Sequence, residues 1–397
     1  MAAALTQRID DLVDRLAQEL VDASHAIHDD PELNFEEHHA HDRLVTALER
    51  HGLAVEAHAY GLETAFVARA GTGNGPTIAV LCEYDALPEI GHACGHNIIA
   101  TSGLGAGLAL AALADEFGGR VLILGTPAEE GGGGKVYMAD GGAFVGVDAA
   151  MMVHPAGADL TRMNTIAIHE LFVQYDGQAA HAAAAPWKGR NALDAAVLGY
   201  NNIAALRQHI EPTERIHGIF TKAGDKPNIV PSHTEANWYV RSPTAVTLEA
   251  LKPRVLSCLH AGAAAAGCEM HHQWAPVAYS DMIDNADMLS RYCEHAKDFG
   301  RDVQSPDAGA APVVGSTDMG NVSYIVPSIH PMIAVAPHNV SIHTPEFAAY
   351  AVSKVGDQAV VDGAKLLARV GMDLWQNSTL LASATQQFST EVARRQH

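Results

Sequence analysis

The chain reads as an α/β protein. The expected architecture is a larger domain with a mixed, largely parallel central sheet flanked by helices, interrupted by a smaller inserted domain. Three observations predict this. Continuously apolar runs at 77–82, 120–125 and 148–153 have the character of strands buried on both sheet faces. Segments of helical period separate them, as parallel connections require. From about residue 166 to 278 the order becomes strand, helix, strand, strand, helix, strand, which is that of a ferredoxin-like βαββαβ unit.

Taken in order, apolar residues recur at helical spacing over 5–27 and 35–48, with Gly52 as a stop. Short strands are predicted at 53–58 and 64–70, and the turn 71–76 leads into the buried strand 77–82. A small-residue helix at 98–113 precedes the strand 120–125, and a Gly-rich turn with a short helix precedes 148–153. In the insert, strands fall at 166–175, 216–223, 234–241 and 269–274, and helices at 191–209 and 248–265. A helix at 286–299, a strand near 333–336 and a long helix over 345–370 return to the first domain. The tail from Gln376 is polar, and no function is read from it.

Composition narrows the function. A chain of 397 residues suits two domains, and 48 % hydrophobic against 18 % charged residues suits a packed core rather than disorder. The net charge of −21, from 46 acidic and 25 basic residues, would repel phosphate backbones, so a nucleic-acid partner is not expected. The first 20 residues mix acids and bases without an apolar signal core, and no run of about 18 apolar residues indicates a membrane span. The odd, scattered set Cys82, Cys94, Cys258, Cys268 and Cys293 fits a reducing cytoplasm.

The chemistry lies in where polar clusters fall. Glu83-Tyr84-Asp85 follows the strand 77–82, Glu129-Glu130 follows 120–125, and His154-Pro155 follows 148–153. All therefore sit at strand carboxyl ends, where open α/β sheets build their sites. Cys94-Gly95-His96 lies on the loop after the first of these strands. Thiolate, imidazole and carboxylate on one rim suit a borderline divalent ion such as zinc. His343, in the returning segment, is a fifth candidate ligand, and five ligands with one bridging can hold two ions about 3.5–4 Å apart. Adjacent Glu129 and Glu130 can divide the labour, one binding metal and the other moving the proton of a metal-activated water. Two rival readings remain at this level. Cys94 could be a small buried hydrophobe, or a nucleophile with His96 as its base. The second leaves Glu129, Glu130 and His154 without a role.

Over nearly its full length the chain resembles the zinc-dependent aminoacylase–carboxypeptidase metallopeptidase family, in the amidohydrolase branch. The segments that carry the resemblance are 28–33, Glu83-Tyr-Asp-Ala-Leu-Pro88, Gly91-His-Ala-Cys-Gly-His-Asn97, Pro127-Ala-Glu-Glu-Gly131, Gly177-Gln-Ala-Ala-His181, Lys226-Pro-Asn-Ile-Val-Pro231, Gly315-Ser-Thr-Asp-Met-Gly320 and His343. The resemblance implies a catalytic metal-binding domain over 1–165 and 279–397, and a lid and dimerisation domain over 166–278. It implies that Cys94 bridges two divalent ions, that His96 and His154 complete one site, and that Glu130 and His343 complete the other. Glu129 would be general base and acid, and Asp85 would orient an imidazole ligand. Asn97 stands where the wider branch often has Asp and could still hydrogen-bond an imidazole. His181 would stabilise the oxyanion, while Asn228 and Arg241 would hold substrate carboxylate or polar groups. Ser316 and Thr317 would line the pocket. The soft Cys94 favours zinc; manganese, nickel and cobalt fit similar ligands. The activity implied is hydrolysis of an amide joining an acyl, aroyl or aminoacyl group to an amino acid, in a homodimer acting on small N-acyl amino acids or dipeptides. The alternatives are cleavage of a ureido or carbamoyl C–N bond on the same scaffold, and a metal-binding relative without turnover. Bland readings stand beside the lid residues and the pocket: a turn histidine for His181, an exposed strand-end charge for Arg241, a loop turn for Ser316 and Thr317.

Overall fold

In the computed structural model, which describes residues 2–308 and 314–395, Thr77–Glu83 lies inside a six-stranded sheet. Across the sheet run Val55–Ala57, Phe66–Ala70, Arg120–Thr126, Thr77–Glu83, Ala149–Met151 and Ser328–Ile329. The first two pairings are antiparallel and the remaining three parallel. Successive side chains of a strand face opposite ways. Accordingly Ile78, Val80 and Cys82 join one apolar core and Ala79 and Leu81 another. Both faces are covered, which is why this run does not alternate with polar residues.

The helix His96–Ala111 lies close on the sheet and is buried along nearly all of its length. Gly103 permits this approach: a Cβ there would stand 2.5 Å from the carbonyl oxygen of Leu81. Leu81 itself is fully buried. Its replacement by Ala removes apolar contacts and leaves a cavity, so Leu81→Ala is expected to cost about 2–5 kcal/mol of stability. The loss should appear as a lower urea midpoint at unchanged slope.

The structure redraws several expected elements. The strand expected over 148–153 is shorter in the structure. Ala149–Met151 belongs to the central sheet, while His154–Ala156 pairs in parallel with Met332–Ala334, where Pro155 has no amide to donate and an edge suits it. The helix expected over 345–370 is two, Pro345–Ala351 and Lys354–Gln376. Ser353 caps the second, accepting from the amide of Gly356 at 3.3 Å. The polar tail contains a further helix, Ser378–Arg395, tied down where Asn285 Nδ2 donates to the Ala384 carbonyl at 2.8 Å.

Two units emerge, Met1–Asn164 with Met282–His397, and Thr165–Asp281. The second holds an antiparallel sheet in the order Glu269–Trp274, Ala167–Asp176, His233–Ser242, Arg215–Lys222. The helices Ala192–Leu206 and Ala245–Ala266 share its core with Leu171, Val173, Tyr175, Trp238 and Val240. Along Ala167–Asp176 buried residues alternate with more exposed ones. That is the pattern of a sheet covered on one face. Among the described residues no helix is long and apolar enough to cross a membrane.

Candidate metal centre

The parallel strands Thr77–Glu83 and Arg120–Thr126 end at one edge of the sheet, and the chain leaves each as polar loop. After the first strand, Gly95 adopts the left-handed conformation at φ 79°. A Cβ there would come within 2.5 Å of Pro155 Cγ, so only Gly brings this turn so close to the segment carrying His154. His96 then opens its helix. After the second strand, Ala128 sits at φ 58°, a conformation unfavourable for a residue with a Cβ. The buried Glu37 holds the turn by accepting from the Ala128 amide at 2.9 Å. The resulting kink sends Glu129 and Glu130 to different partners. His343 also has positive φ, 63°, and its amide donates to the Ala93 carbonyl at 2.8 Å. Local strain thus collects beside the chemistry.

Two sets of potential ligand atoms share Cys94. Cys94, His96 and His154 form one and Cys94, Glu130 and His343 the other, with all atoms of each set within 4.8 Å of one another. A third set of the same spacing is Glu83, His96 and Glu129. The imidazoles are oriented from behind. His96 Nδ1 lies 2.8 Å from the Asp85 carbonyl oxygen and 3.1 Å from Asp85 Oδ1. Both are acceptors, so Nδ1 carries a proton and Nε2 is the ring atom turned toward Glu83 and Glu130. His154 Nδ1 likewise donates to the Pro155 carbonyl at 2.8 Å, and its Nε2 lies 3.4 Å from Cys94 Sγ. Asp85 has a second task, accepting from the Glu130 amide through Oδ2 at 2.8 Å. His343 Nε2 lies 3.3 Å from Glu130 Oε1.

The electrostatics separate the adjacent carboxylates. Burial, then Glu83 and Glu130, push Glu129 well above the usual carboxylate range. Burial also works to raise Glu130, but the neighbouring His343 and the charge of His96 outweigh it and leave Glu130 lowered. For His96, burial opposes the charge, yet Glu83, Cys94 and Asp85 raise it well above the ordinary imidazole range. Burial lowers His154 to about 4, so it is a neutral donor at pH 7. Burial raises the Cys94 thiol.

The donor set fits divalent ions. Glu83 Oε1, His96 Nε2 and Glu130 Oε1 are buried and find no hydrogen-bond partner among the described residues. Glu83, Asp85, Glu129 and Asp318 crowd around Lys135, the ammonium that lies buried among them. Such an excess of buried negative charge is unfavourable until cations offset it.

Other expected residues lie elsewhere. Asn97 does not reach an imidazole; its Nδ2 donates to Ser24 Oγ at 2.9 Å and to the Ala351 carbonyl at 3.3 Å. Thr317 Oγ1 accepts from the Met319 amide at 3.2 Å at the start of a short helix. From this segment Asp318 is the residue that turns toward Lys135. In the second unit, His181 bridges to Ile229 while the Ala182 amide donates to the Asn228 carbonyl, so the His181 and Asn228 segments are side by side. Arg241 is on another strand, His233–Ser242, its guanidinium 5.8 Å from the centre of the Tyr239 ring. Sequence reasoning missed Glu37, Glu83, Lys135, Asp318 and His330 as site residues. The buried His330 ring lies edge-on to His154 at 5.4 Å. Glu83 stands two residues before Asp85 and carried a signal. A lone lysine in a Gly-rich turn carried none.

Fold and site together define a class: a metal-dependent hydrolase acting on amide bonds. The chain belongs to peptidase family M20/M25/M40, whose sequence profile matches residues 79–373. It is 39 % identical to the Xaa-Arg dipeptidase of Mus musculus, over 99 % of this chain and 94 % of that protein. It is 35 % identical to one of the subunits of the p-aminobenzoyl-glutamate hydrolase of Escherichia coli (strain K12), over 62 % of this chain and 56 % of that one. A solved structure of a putative aminohydrolase from methicillin-resistant Staphylococcus aureus superposes with a TM-score of 0.76 at 19 % identity, covering 94 % of this chain and 99 % of that chain. At that identity the likeness is one of fold.

Proposed function

We propose that this protein hydrolyses the amide joining an acyl, aroyl or aminoacyl group to an amino acid, using two divalent ions that share the Cys94 thiolate. The observation that carries this is the pair of ligand-atom groups with Cys94 in common, next to two adjacent carboxylates of opposite pKa shift. His96 and His154 would hold one ion, Glu130 and His343 the other, and the soft thiolate favours zinc. Such a pair, when bound, polarises a carbonyl oxygen and lowers the pKa of water to about 7.

The chain's own residues do the rest. Glu129, whose carboxyl is pushed up by burial and by Glu83 and Glu130, takes the proton of the attacking water and returns it to the leaving amine. Asp85 locks the His96 tautomer and the Glu130 backbone. His181 is the oxyanion donor. Its Nδ1 accepts from the amides of Ala183 and Ala184 at 3.3 and 3.1 Å, which leaves the proton on Nε2. Asn228 and Arg241 hold the substrate carboxylate, and Ser316 and Thr317 line the pocket. The β-α-β-β-α-β order of Thr165–Asp281 supports a ferredoxin-like lid that also dimerises. The five unpaired cysteines support a reducing, cytoplasmic setting.

The similarity to an Xaa-Arg dipeptidase and to an aminobenzoyl-glutamate hydrolase sets the substrate panel: dipeptides with basic and neutral carboxyl-terminal residues, N-acyl amino acids, aminobenzoyl-glutamate and a ureido amino acid. Hydrolysis of an amide member is expected, abolished by chelator and restored by zinc. Turnover of the ureido compound alone would move the reading to another C–N bond. Activity indifferent to exhaustive chelation would overturn the metal reading.

A further inference from the structure

Behind the ligand-bearing edge lies a buried ion network that the reading above does not use. Lys135 and Asp318 are fully buried and Glu83 nearly so. Lys135 Nζ donates to Glu83 Oε2, and to Asp318 Oδ1 at 2.7 Å. The same lysine's amide donates to Asp318 Oδ2 at 2.9 Å, so one carboxylate grips both ends of the residue. The other oxygen of Glu83, Oε1, has no hydrogen-bond partner among the described residues and stands 3.1 Å from His96 Nε2. It belongs to the third ligand-atom group, with His96 and Glu129.

Burying an ammonium is costly unless it is paired. A structural role alone would be served as well by apolar residues of similar volume. Here the ammonium is paired with two buried carboxylates, Glu83 and Asp318. Its contact with Glu83 Oε2 leaves Oε1 facing His96 Nε2 at 3.1 Å, in one ligand-atom group with Glu129.

We propose that Lys135 and Asp318 are positioning residues that aim Glu83 at His96 and Glu129, and that Glu83 thereby sets the geometry of the ion held by His96. The inference rests on the two-ion reading. Groups that orient ligands from behind are commonly worth about 10–100-fold in affinity or activity.

Two variants test it in the full-length protein. Glu83→Gln leaves the Lys135–Asp318 pair intact. Lys135→Met/Asp318→Asn removes both charges of that pair and frees Glu83. Each is expected to lower kcat about 10–100-fold with KM within about threefold. In the cobalt-substituted protein each should still bind two ions but show a changed visible spectrum, because the surroundings of the His96-held ion have changed. Wild-type kcat and an unchanged cobalt spectrum in Glu83→Gln would overturn the proposal. So would a loss fully accounted for by the unfolded fraction, which denotes a structural network only. If the double variant does not fold, Glu83→Gln decides. If the wild-type protein binds two ions but hydrolyses none of the panel, the functional reading fails, and the cobalt spectra still decide this one.

Discussion

Glu129→Gln is expected to lower kcat by about 10²–10⁴-fold, or roughly 3–5 kcal/mol in the barrier, while both ions stay bound. The amide is nearly isosteric with the carboxylate but cannot take a proton from water and return it to an amine. The two ligand-atom groups that share Cys94 contain Glu130, not Glu129, so ion content should not change. Substrate binding does not depend on the proton shuttle, and KM should stay within about threefold. Steady-state kinetics alongside metal analysis of the same sample check this. A variant that keeps both ions and full turnover would remove Glu129 from the mechanism. Loss of an ion would instead make it a ligand.

Cys94→Ala carries the second large effect. The thiol sulfur belongs to both two-ion groups, whereas His96 and His154 belong to one of them and Glu130 and His343 to the other. Loss of Cys94 is therefore expected to weaken both ions, and His96→Ala mainly one. Since even groups that only orient a ligand are worth about 10–100-fold, removing a shared ligand should cost more than that. Calorimetric titration of the chelator-stripped protein with zinc gives stoichiometry and affinity for each variant. Two tight ions in Cys94→Ala would exclude the thiolate as a bridge.

The pH dependence follows with a definite sign. Burial raises the Cys94 thiol, so near pH 7 it carries a proton that an incoming cation must displace. Ion affinity should rise with pH, about tenfold per unit for each proton released. His154, lowered to about 4, is already neutral at pH 7 and adds nothing to that slope. Cys94→Ala should flatten it by one proton.

The contrast between Glu129 and Glu130 shows how far the residues could be read in advance. That the two carboxylates turn to different partners was legible, because both follow a buried strand and adjacent side chains in irregular backbone diverge. The physical cause of the divergence was not legible. It is the positive φ of Ala128, held by Glu37 from a segment about ninety positions earlier. Asn97 illustrates the opposite failure. Its place beside His96 suggested an imidazole partner, but the first turn of the helix points it to Ser24 and Ala351.

By itself the sequence determined the α/β class, because burial on both faces of a sheet forces runs such as 77–82 to be apolar throughout. It also determined the order of the insert and the cluster Cys94, His96, Glu129, Glu130 and His154, because parallel strands bring their carboxyl ends to one edge wherever they lie in the chain. His343 came from its motif. Only the tertiary structure decided that Glu83, Lys135 and Asp318 form one buried network. Charged residues read as solvated surface until packing removes the water around them, and no local pattern marks a lysine whose partners lie 52 and 183 positions away.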